Sequence, residues 1–234
     1  MPVAPAHHPM FVGLERAIEL HAEGKYEEAI AALGDDVESK APALAKRCRW
    51  AVDMAELLED TAEKEKLFRK ALGDAAKGAE LEPGNFEVYK ALAIGKGRLQ
   101  GCVGISEKVQ LAKEVKEDID RALELNPEDS ACWTVLGCWH SGVASQSWIV
   151  RQAMQALYFG NFPGASHEDA EKCFLKAHSF YPNATNAVHL AKAYKALNNK
   201  SKYKEWLEAA IGMESDLPGY RISQDEARTL LAAA

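Results

Sequence analysis

The 234-residue sequence has no apolar run approaching the roughly 20 residues needed to span a bilayer. Its opening decapeptide, MPVAPAHHPM, has no basic segment followed by an apolar one, so no secretory signal is expected. Cysteine is scarce and odd in number: Cys48, Cys102, Cys132, Cys138 and Cys173, with no CxxC spacing. That argues against a disulfide framework and predicts buried thiols in a reducing compartment. Alternating runs of β-branched residues are missing, which argues against sheet. Also missing are GxSxG, HExxH and a Gly-rich loop leading into Lys-Ser/Thr, so neither an enzyme nor a cofactor is expected. Cys132, Cys138 and His140 lie close in sequence, but residues six and eight apart on a helix point in different directions. No metal site is expected there.

What is present suits a folded helical chain. Hydrophobic residues make up 47% and charged residues 27%, enough for one fair-sized core or one continuous repeat array. The net charge of −7 repels nucleic acid and anionic surfaces on average, so no nucleic-acid partner is expected. An acidic partner requires a local basic patch.

Apolar residues recur at three and four along most of the chain, as on a helix face. Three segments share one frame: KGAELEPGNFEVY, RALELNPEDSACW and KAHSFYPNATNAV. Each ends a helix, turns at Pro83, Pro127 or Pro182, and opens the next helix. Trp133, Leu136, Gly137 and His140 fit the first half of the tetratricopeptide signature, and Ala170, Phe174, Ala177 and Pro182 fit the second. In an ordinary repeat that Gly and that Ala stand roughly 12 residues apart. Here the interval is longer, and the segment Ser145–Ser166 is the insertion. Further hairpins are expected around Gly24, over Lys46–Glu82, over Asn85–Asn126 and over Asn183–Gly212, with Gln224–Leu231 as a capping helix. The prediction is an all-α, tetratricopeptide-like helical-hairpin solenoid with an inserted helix in a middle repeat. It comprises a tail at 1–10 and one domain at 11–234, with about five hairpins and the cap.

These segments together resemble the tetratricopeptide domain of the regulator of microtubule dynamics family. Trp148, Arg151, Pro163, Glu168, Ala170, Phe174, Leu175, Lys176 and Ala177 match the insertion and helix that follow one another in that domain. The stretch from Ala91 to Pro127 resembles its other long repeat, and LAKRCRWAVDMAE an early helix. The resemblance covers residues 44 to 212. It implies a microtubule-associated protein without established catalytic residues. Some family members carry an N-terminal membrane anchor, and no such segment is read in this sequence.

Two surfaces are candidates for partner binding. The insertion carries Trp148, Arg151, Tyr158, Phe159 and Phe162 and no acidic residue. As a helix it places Ile149, Ala153, Ala156 and Leu157 on one face. Aromatic residues at such spacing usually pack into a core, and the alternative is a groove for a partner helix or an acyl chain. The second surface is Lys192, Lys195, Lys200, Lys202 and Lys204, with no carboxylate among them. Two further basic clusters are Lys40, Lys46, Arg47 and Arg49, and Lys108, Lys113 and Lys116, the last diluted by Glu107, Glu114 and Glu117. The expected function is a non-enzymatic scaffold that binds tubulin, the microtubule or another cytoskeletal protein, in the cytoplasm, cytoskeleton or cilium. The rival is a lipid-binding or membrane-contact module, which needs a continuous cavity lined by Trp133, Trp148 and Phe159.

Overall fold

The computed structural model describes residues 15–158, 160–213 and 218–234. The expected tail at 1–10 lies outside the described residues. The described residues form twelve α-helices, one short 3-10 helix and no strand. The helices pair antiparallel. Helix α1 (Glu15–Ala22) runs against α2 (Tyr26–Ala31), α3 (Ala41–Glu56) against α4 (Thr61–Leu81), and α5 (Phe86–Leu99) against α6 (Ile105–Leu125). Helix α7 (Ser130–Ala144) pairs with α9 (His167–Phe180), and α8 (Trp148–Leu157) lies in the connection between them. Helix α10 (Ala184–Ala196) pairs with α11 (Lys200–Gly212), and α12 (Pro218–Ala232) packs on both.

Local chemistry sets the helix ends. Side chains of Asp60, Asn85, Asp129, Ser147, Ser166, Asn183 and Asn199 each accept a backbone N–H of the helix they precede. Such caps satisfy donors that no earlier turn can reach. Gly24 adopts φ +79° between α1 and α2, and Lys25 N–H reaches back to the Leu20 carbonyl at 2.9 Å. That left-handed residue closes the helix without a Cβ clash. Helix α3 starts at Ala41 rather than at Lys46, because Pro42 sits in its first turn, where a missing N–H costs nothing.

The repeat signature has a packing meaning. A Cβ placed on Gly137 meets the Phe174 ring at 2.5 Å, so only glycine lets α7 and α9 close over that ring. Ala170 and Ala177 are fully buried beside it. Adjacent repeats also share a turn contact. The Trp133 indole N–H donates to the Pro127 carbonyl at 2.8 Å, and the Tyr89 hydroxyl donates to the Pro83 carbonyl at 3.1 Å.

First helices touch in succession, α3 on α5, α5 on α7 and α7 on α10. Each second helix packs instead on the first helix of the next hairpin: α4 on α5, α6 on α7 and α9 on α10. The first helices therefore form the closer, inner layer of the stack, as in a curved solenoid. Buried residues fall into four clusters that follow the hairpins along the chain.

Candidate functional site

Helix α8 has two apolar sides with different fates. Val150, Met154 and Tyr158 face inward and join the cluster of α6, α7 and α9. Phe162 follows the turn back into that cluster, 5% exposed, and lies parallel to the Trp139 ring at 6.2 Å. Gln155 Nε2 donates to the Phe162 carbonyl at 2.9 Å and pins the turn. Phe162 is therefore packing rather than contact surface, and Tyr158 is half-buried against it. The opposite side is in solvent: Trp148 is 67%, Ile149 72% and Leu157 57% exposed, with Ala153, Ala156 and Arg151 also exposed. The face expected from spacing is thus the outer one. Phe159 lies outside the described residues. An indole this exposed lines no closed cavity, while Trp133 packs half-buried in the cluster below.

The lysine patch at the α10–α11 turn divides as well. Lys195 lies over the Tyr203 ring, and Lys202 lies over Tyr194 while donating to its hydroxyl at 3.0 Å. These two staple the hairpin and stay exposed. Lys192 pairs with Glu226 of α12 at 2.7 Å. Lys200 and Lys204 are exposed and have no ion pair among the described residues. The other two basic clusters are largely neutralised within the molecule. Arg47 meets Asp74 and Glu38, Arg49 meets Asp53, Lys113 meets Glu117, and Lys116 meets Asp120.

A third group has no signature along the chain. Cys138 on α7 places its Sγ 3.7 Å from both ring nitrogens of His189 on α10. The imidazole stacks on Phe174, with centroids 5.5 Å apart and planes 13° apart. Burial pushes the Cys138 thiol up to about 11. Burial, with the charges of Lys192 and Arg98 adding to it, pushes the His189 imidazole down to about 4. Both groups are neutral at physiological pH, so the pair is not an activated nucleophile. Arg98 on α5 is exposed and has no ion pair among the described residues. Charges at positions 98, 192 and 226, on three different helices, act on His189, and no local spacing reveals that.

From Ser130 to Lys204 the chain has eight Lys and Arg against three Asp and Glu, a net +5 within a chain of −7. That stretch is therefore net positive within an acidic protein, whereas residues 205–234 carry two Arg against six Asp and Glu.

The family model for regulator of microtubule dynamics protein 1-3 matches residues 14–234. The chain belongs to that family. Among its relatives, regulator of microtubule dynamics protein 3 of Xenopus laevis is 33% identical over 76% of this chain and 38% of its own length. The Bos taurus protein 3 is 29% identical over 89% of this chain and 45% of its own length. The Bos taurus protein 1 is 32% identical over 93% of this chain and 70% of its own length. The chain thus spans under half the length of the protein 3 relatives. A tetratricopeptide protein of Thermus thermophilus superposes with a TM-score of 0.67 at 14% identity, covering 93% of this chain and 97% of the other. This regulator of microtubule dynamics family member therefore has the tetratricopeptide fold. No helix among its described residues is long and apolar enough to cross a membrane.

Proposed function

We propose that this chain is a non-enzymatic helical-repeat scaffold that associates with microtubules through the net-positive stretch from Ser130 to Lys204. Family membership carries the reading, and the net +5 between Ser130 and Lys204 supports it. Microtubule surfaces are acidic, and an acidic protein approaches them only through a local basic surface. Lys200 and Lys204 at the α10–α11 turn, together with the exposed Lys195 and Lys202, are the first contacts we assign.

Co-sedimentation of the purified chain with stabilised microtubules tests this, at low and at physiological salt, with and without the acidic tubulin tails. Saturable pelleting that falls with salt and with tail removal is expected, because exposed charges are screened beyond about 8 Å at physiological ionic strength. Absence of pelleting at both salts overturns direct binding.

A second reading rests on the outer side of α8, where Trp148, Ile149 and Leu157 stand in solvent beside Arg151. A basic-apolar face of this kind also suits a membrane surface or an acyl chain. Flotation with anionic vesicles that is lost in W148A/I149A favours it, and no flotation removes it.

A further inference from the structure

The four hairpins from α3 to α11 present their internal turns along one edge of the stack. Successive helices alternate in direction, so each first helix ends, and each second helix starts, on the same side. Contacts between neighbours place the turns together. Burial raises the Cys102 thiol in the α5–α6 turn, and the charges of Lys64, Glu65 and Glu56 around the α3–α4 turn act on it. Arg69 on α4 meets Glu107 at the start of α6. Val109 early in α6, Val143 late in α7 and Val150 early in α8 share one cluster. Glu171 early in α9 acts on the Tyr194 hydroxyl late in α10.

The chemistry of this edge changes in order. From Asp53 to Glu63, around the α3–α4 turn, there are five Asp and Glu and no Lys or Arg. Glu56, Glu59 and Glu63 are exposed and have no ion pair among the described residues. Residues 100–106 and 141–150, at the next two turns, carry no charge. From Lys195 to Lys204, at the last turn, there are four Lys and no Asp or Glu. The uncharged middle holds bare apolar tips, Ile105 at 75% exposure and the exposed Trp148 and Ile149, and Leu57 stands beside the acidic turn at 69%. Among the described residues, five large apolar side chains are at least two-thirds exposed, and these are four of them.

We propose that this edge is a self-complementary interface at which two copies of the chain pair antiparallel about a two-fold axis. The order acidic, apolar, apolar, basic is its own complement when reversed. The α3–α4 turn of one copy then faces the α10–α11 turn of the other, and Ile105 faces Trp148 and Ile149. Two-fold symmetry makes each contact twice. A parallel pairing sets acid on acid and lysine on lysine, so charge selects the antiparallel one. The apolar tips in the middle supply the buried surface that exposed patches of this kind lack in a lone chain. The inference goes beyond microtubule association. It meets that reading at Lys200 and Lys204, which the second copy covers, so the single chain is the form that is free to reach an acidic lattice.

The test is sedimentation velocity of the full chain without tubulin, from about 1 to about 200 µM, the span in which a small interface assembles. A concentration-dependent dimer that weakens with salt is expected. E56K/E59K and K200E/K204E should each weaken it at least about tenfold, because each reversal sets like charges face to face. Mixed in equal amounts, these two variants should pair with each other, since the basic turns of one meet the acidic turns of the other at both contacts. I105S/W148A should weaken the dimer about five- to tenfold. The substituted side chains are all exposed, and circular dichroism checks that each variant folds. A chain that stays monomeric at every concentration overturns the interface. So does a dimer indifferent to these substitutions, or a pair of reversed variants that do not associate. Microtubule pelleting separates the two readings. A dimer that forms while no pelleting occurs ends the microtubule reading and leaves the interface. Pelleting by a chain that is monomeric throughout ends the interface alone.

Discussion

Arg47 reaches from α3 to Asp74 on α4 at 2.6 Å, and Arg69 from α4 to Glu107 on α6 at 2.8 Å. Lys90 on α5 meets Asp129 at the head of α7, and Lys96 meets Asp118 on α6. The joints from α7 onward are of another kind. Ser130 Oγ donates to the Ala177 carbonyl, Asn186 Nδ2 to the Phe174 carbonyl, and Gln224 Nε2 to the Met213 carbonyl. The front hairpins are tied mainly by charge, the back ones mainly by neutral hydrogen bonds around aromatic packing, with the exposed Lys192–Glu226 pair as an exception. The same fold tolerates both, because each joint needs only its buried polar atoms satisfied. The consequence is electrostatic. The front hairpins engage many of their cations internally, whereas the stretch from Ser130 to Lys204 has three carboxylates for eight cations and leaves Arg151, Lys200 and Lys204 facing solvent.

Five experiments break or sharpen that contrast. The largest effect is expected from F174A, which empties the ring pocket under Gly137 and His189 and should cost about 3–5 kcal/mol in denaturant unfolding. Acid comes next. The folded His189 pKa, about 4, lies below its ordinary value of about 6.5, so the unfolded chain binds the proton more readily. Stability from this group is complete above about pH 6.5 and is lost as pH falls towards 4, by up to about 3 kcal/mol. Arg98 on α5, Cys138 on α7, Lys192 on α10 and Glu226 on α12 surround it, and the thiol does not titrate in this window. The stability of H189Q should fall less over that range than that of the wild type. R47M strands Asp74 and should cost about 1–3 kcal/mol, with a penalty that 1 M salt reduces. N186A removes a neutral joint of similar worth, and its penalty should ignore salt. Smallest is W148A on the exposed side of α8, expected within about 0.5 kcal/mol of the wild type. A Trp148 change that costs several kcal/mol contradicts the outward placement.

The hairpins were legible in the sequence because their determinants are local. Trp133, Leu136 and Gly137 stand at signature spacing, as do Ala170, Phe174 and Ala177, and Ser166 stands one residue before the helix it caps, its Oγ accepting from Asp169 N–H at 3.0 Å. The buried side of α8 was not legible. Apolar residues lie on both sides of that helix, so periodicity finds no polar face to orient it. The choice is made by Phe162 folding back onto Trp139 and by Met154 entering the same cluster. The lysine patch can be seen in the sequence, but the engagement of its members cannot. The Tyr194 and Tyr203 rings and Glu226 that hold them are brought there by tertiary packing. Arg98 and His189 lie 91 positions apart and carry no motif that would join them.

The connection holding α8 leaves the repeat around it undisturbed. Helices α7 and α9 close on each other through Gly137 and Phe174 as helices with a short connection do, although residues 145–166 lie between them. Loop closure becomes only slowly costlier with length, so the hairpin accommodates a long connection whose Met154 and Phe162 pack back onto it. That makes the connection a natural port for the engineer. A protease site, a spectroscopic label or a small reporter domain placed at Gly164, which is exposed and follows the packed Phe162, sits on a link whose length the neighbouring helices tolerate.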